Sequence, residues 1–108
     1  MKTIAVVTTV ATAAQARAMA RALVTRRLAA CAQICAIESV YRWKDRVHEE
    51  PEHRIVFKTT SERYQALEAA IKELHSYELP AIHALALEQV HAPYAQWIEQ
   101  NCTGDESR

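Results

Sequence analysis

The residues of this chain best equipped for chemistry crowd into one stretch, SVYRWKDRVHEEPEHR, from Ser39 to Arg54. If it is extended, side chains alternate between faces, so His48 and Glu50 share one. An imidazole beside a carboxylate suits copper or zinc. The same pair also reads as a solvent-facing one with only adventitious metal affinity. Glu49, Glu50 and Glu52 offer carboxylates for acid–base work, or simply a solvated charged surface. Elsewhere, His75 closes a helical pattern, where a cation meets the favourable end of the helix dipole. His83 and His91 stand alone and read as structural.

Cys31 and Cys35 invite a disulfide or chelate reading. On a strand, four residues at ~3.3 Å each separate them by roughly 13 Å, whereas a disulfide needs Cα atoms within about 7 Å. Both therefore read as small buried apolar residues on one strand face. With Cys102 the thiol count is odd, which suggests a reducing compartment and free thiols, hence a cytoplasmic location. No motif pairs a cysteine or serine with a base, so nucleophilic catalysis is not expected.

Composition excludes several classes. The only glycine is Gly104. Phosphate-cradling loops need glycine for close backbone approach, so Walker, dinucleotide and kinase-type loops are absent, as is the Gly-x-Ser-x-Gly elbow. The formal net charge is zero, which argues against a polyanion partner. The charges are nevertheless segregated. Residues 1–30 carry Lys2, Arg17, Arg21, Arg26 and Arg27 without an acid, and residues 61–108 carry eight acids against Arg63, Lys72 and Arg108. Two ends of opposite sign that attract, or a basic helix face for an anion, both fit. The opening MKTIAVVTTVATAAQA has the outline of a short signal peptide, but its β-branched run reads more economically as a first strand. No run is long enough to span a bilayer.

The elements that must position these residues can be read in order. Residues 2–10 are β-branched and predict a buried strand. Thr12 can cap a helix over 13–28, whose Ala13, Ala16, Met19, Ala20, Leu23 and Val24 share a face. Residues 31–44 predict a long strand, with a turn near Lys44-Asp45-Arg46 and a second long strand to Thr59. Pro51 should sit at an edge or bulge. A helix over 61–75 carries Tyr64, Leu67, Ile71 and Leu74. Thr59 to Glu62 has capping-box spacing, and Glu68–Lys72 forms an i,i+4 pair. AIHALALEQV reads as a fourth strand, and Pro93 opens a short helix with Tyr94, Trp97 and Ile98. Residues 1–102 form a single domain and 103–108 a polar, fraying tail. The order gives an α+β, ferredoxin-like βαββαβ fold with a long hairpin between its second and third strands and a short C-terminal helix. An RNA recognition motif of that topology would show aromatics and glycine on its central strands; TIAVVTT and RIVFKTT offer only Phe57.

RLAACAQI, SVYRWKDRVHEE, KTT, ELHSYELPAI and YAQWI occur in this order and spacing, and the set resembles the CutA divalent-cation tolerance family from residue 4 to about 101. The resemblance implies a homotrimer similar in architecture to PII signalling proteins, with no catalysis and no required cofactor. It also implies a role in tolerance of copper or other divalent cations, with Cu(II) or a similar ion as candidate ligand. Some bacterial members bind copper through a first-strand cysteine and two histidines. Here those positions are Thr8, Leu74 and His75, so His75 is the candidate metal residue. Gln33, Ser76 and Asp45 are further departures, and Tyr41, Trp43, Glu52, Lys58, Tyr77, Glu78, Pro80 and Trp97 are retained. Lys58, Tyr77 and Glu78 are candidate ligand-cleft residues. The alternative function is a PII-like sensing module that grips a small anion or nucleotide between subunits and signals to a partner protein not identified by the sequence.

The residues also fit the trimer that the resemblance implies. Tyr41 and Trp43 alternate on one face of a hairpin that would otherwise leave them in water with an unpaired edge. Burial against other copies resolves both, and with Trp97 they are the candidate interface aromatics. A hairpin folded back on its own core is the other arrangement. Neither nucleic acid nor membrane is an expected partner.

Overall fold

The computed structural model describes residues 2–104. Its elements are β1 (Thr3–Val10), α1 (Ala13–Thr25), β2 (Cys31–Trp43), β3 (Arg46–Thr60), a 3-10 turn (Ser61–Arg63), α2 (Tyr64–Leu74), β4 (Ile82–Ala86) and α3 (Ala92–Asn101). The sheet is antiparallel in the order β2-β3-β1-β4, the ferredoxin-like arrangement expected. β1 is central and buried along nearly its whole length, as its Val- and Ile-rich run requires. Ile4, Val6 and Val10 of β1 meet Ile55 and Phe57 of β3 beneath Met19 and Leu23 of α1 and Leu67 and Ile71 of α2. The predicted apolar faces are therefore core faces, except that Leu74, at the end of α2, is exposed.

Local chemistry sets the boundaries. Thr12 accepts the Gln15 amide at 3.1 Å and caps α1. α1 ends before residue 28, because Arg27 turns left-handed (φ 61°) and closes a Schellman motif: Arg27 N–H donates to Val24 O and Leu28 N–H to Leu23 O. The Thr59–Glu62 capping box does not form. Thr59 remains in β3, and its hydroxyl donates inward to Leu28 O at 2.8 Å. Glu68 accepts from the Tyr64 hydroxyl at 2.9 Å rather than pairing with Lys72. β4 stops at Ala86, shorter than its apolar run, because β1 begins at Thr3 and its carbonyl takes Leu87 N–H as the last bond. Pro51 lies where β3 has run past the end of β1 and keeps only β2 as a neighbour, an edge position compatible with its missing N–H.

The cysteines are more open than expected. Cys35 is exposed and Cys31 half-buried, because both face away from α1 and α2 on the edge strand β2. Only Cys102 is buried, and burial raises its thiol pKa. The carbonyls of Thr103 and Gly104, the first residues of the proposed tail, accept from Arg27 and Arg63. The rest of the proposed tail, 105–108, lies outside the described residues.

Thr8 is fully buried on the helix side of β1, and its hydroxyl has no hydrogen-bond partner among the described residues. An unsatisfied buried hydroxyl costs about 1–3 kcal/mol. Thr8→Val is therefore expected to raise stability by about 1 kcal/mol, seen as a higher urea midpoint at unchanged slope. A lower midpoint would show that the hydroxyl has a structural role.

Candidate functional site

The hairpin β2–β3 turns through Lys44 and Asp45, both at positive φ (52° and 66°), as a two-residue loop between right-twisted strands requires. Glycine usually fills such positions, but here Lys44 keeps its side chain and uses it. Its ammonium lies 5.6 Å from the Trp43 ring centroid and 3.6 Å from Glu78 Oε1. That contact joins the hairpin tip to the segment between α2 and β4. The two walls enclose an open cleft of about 700 Å³, whose lining includes Tyr41, Trp43, Glu52, Tyr77 and Glu78.

Two tyrosine–carboxylate bonds organise the cleft. The Tyr77 hydroxyl donates to Glu52 Oε2 at 2.6 Å, and the Tyr41 hydroxyl donates to Glu50 Oε1 at 2.5 Å. Glu52 is 7% exposed, so it is not the solvated carboxylate that its charged neighbours suggest. Burial, then the bond to Glu52, pushes the Tyr77 phenol well above its ordinary pKa. The bond to Glu50 pushes Tyr41 up to about 12. Both phenols therefore stay protonated and donate at neutral pH.

His48 stacks on Tyr41, with ring centroids 5.3 Å apart, and its Nε2 lies 3.3 Å from Trp43 O. Glu50 is bonded to Tyr41, so the His48–Glu50 pair is tied into the hairpin face. His75 is a clasp: Nε2–H donates to Thr9 O at 2.8 Å, while Nδ1 accepts Tyr77 N–H at 3.2 Å. Both ring nitrogens are in use, so a cation at His75 must displace one of these bonds.

The structure brings together Tyr77, Glu78, Tyr41 and Trp43, with His75 behind them. It does not bring Lys58, which pairs with Cys31 at the other end of the sheet and donates to Gln33 Oε1 at 2.9 Å. Trp97 stacks on Tyr94, whose hydroxyl lies 3.6 Å from Cys31 Sγ. Cys31 and Trp43 are twelve residues apart on a continuous strand, ~40 Å, so Trp97 belongs to the opposite end from the hairpin tip. Sequence reasoning missed Lys44 as a bridge and Glu52 as a buried acceptor. Among the described residues, no three metal-ligating side chains converge within one chain.

The model of the CutA1 divalent ion tolerance protein family matches residues 4–101. The chain belongs to the CutA family. Protein CutA of Homo sapiens is 40% identical over 86 residues, 79% of this chain but 48% of that protein. The chain thus spans about half the length of that relative. The divalent-cation tolerance protein CutA of Thermus thermophilus is 39% identical over 87 residues, 80% of this chain and 84% of that protein. The structure of the periplasmic divalent cation tolerance protein CutA from Archaeoglobus fulgidus superposes with a TM-score of 0.92 at 27% identity, covering 94% of this chain and 99% of that one. The ordered motifs are thus CutA motifs on a CutA fold. Among the described residues, no helix of this CutA chain is long and apolar enough to cross a membrane.

Proposed function

We propose that this CutA protein serves divalent-cation tolerance without catalysis, as a PII-like homotrimer that holds Cu(II) or a similar cation where its subunits meet. The observation that carries this reading is the uncovered hairpin. Val40 is 68% and Val47 59% exposed on one face, Tyr41 is exposed on the other, and the outer edge of β2 has no partner strand in the sheet. A two-stranded ribbon of this kind is marginal alone, and other copies can supply both the missing strand and the missing cover. Among the described residues no three His, Cys, Asp or Glu side chains gather to hold a metal; in this reading the site is completed between copies, with His75 as one donor after release of Tyr77 N–H. The names of the relatives support the cation as cargo. Three free thiols support a reducing, cytoplasmic setting.

The anion or nucleotide reading is less favoured, because the cleft sets Glu38, Glu52 and Glu78 against one cation, Arg42, while Lys58 is engaged elsewhere. Light scattering tests the assembly: the expected mass is three times 12.2 kDa. Cu(II) calorimetry on the same sample tests the site, with submillimolar binding expected and lost in His75→Ala. A single-chain mass sinks the trimer. Copper binding no tighter than millimolar, and unchanged by His75→Ala, sinks the metal site.

A further inference from the structure

We draw no further inference here: the strongest candidate, the side-chain cluster at the α3 end of the sheet in which the Cys31 thiol lies 3.6 Å from the Tyr94 hydroxyl and opposite Lys58, rests on a single cysteine on the strand face shared with Tyr41, where contact between copies is proposed, and nothing in the structure shows what covers it.

Discussion

Aspartates at Val40 and Val47 are expected to reduce the proposed three-chain assembly to single chains without unfolding the chain. The register pairs Val40 with Glu49 and Arg42 with Val47, so the two valines are diagonal neighbours on one face. They are 68% and 59% exposed and belong to no core cluster, so the single chain has little reason to notice the change. An interface would notice it strongly. Burying an unpaired carboxylate costs several kcal/mol, and about 3 kcal/mol already raises a dissociation constant more than 100-fold. The measurement is molar mass by light scattering, with far-UV circular dichroism as the control for folding. Retention of the full mass would remove this face of the hairpin from assembly and leave the Tyr41 face as the alternative. Loss of the circular dichroism signal would instead show that the ribbon is needed for folding of one chain.

The order of elements was readable because each announces itself locally. KTIAVVTTV and RIVFKTT are β-branched runs, Ala16, Met19, Ala20 and Leu23 recur at helical spacing, and Thr12 is a cap at the right place. What failed to show was decided between elements. Thr59 looked like a cap by spacing, but the carbonyl of Leu28, brought in by the fold, took its hydroxyl. β4 looked longer because its apolar pattern continues, yet a strand ends where its partner ends, at Thr3. Cys35 looked buried by alternation, but alternation gives a face, and the helices cover only the other face. The site follows the same rule. Tyr41 and Trp43 could be placed on one face from parity alone, whereas Glu52 and Tyr77 meet across 25 residues and leave no periodic trace.

Removing both Arg27 and Arg63 as alanines is expected to release α3 from the fold and to cost about 3–4 kcal/mol. α3 has ten residues and a single fully buried side chain, Ile98, so it is too short to hold its own helicity in water. Its C-terminal carbonyls have no partners within the helix, and the negative end of its dipole favours cations. The two guanidiniums answer both needs. Arg27 donates from Nη2 to Gln100 O and from Nε to Thr103 O, each at 2.6 Å. Arg63 donates from Nε to Cys102 O at 2.6 Å and from Nη2 to Gly104 O. Charged hydrogen bonds contribute about 1.5–3 kcal/mol when buried, and partial exposure of both arginines reduces that sum. The clamp also explains why arginine occupies a left-handed position that glycine would hold with less strain. Arg27→Gly separates the two effects: relief of strain at φ 61° is worth about 1 kcal/mol in its favour, and the lost bonds oppose it. A net loss of stability means that the bonds dominate, and a net gain would reject the clamp. Hydrogen exchange locates the change. Amides of 92–104 should lose protection in the double variant while those of β1 and β3 keep theirs, because a ten-residue helix freed from its clamp can open without the sheet.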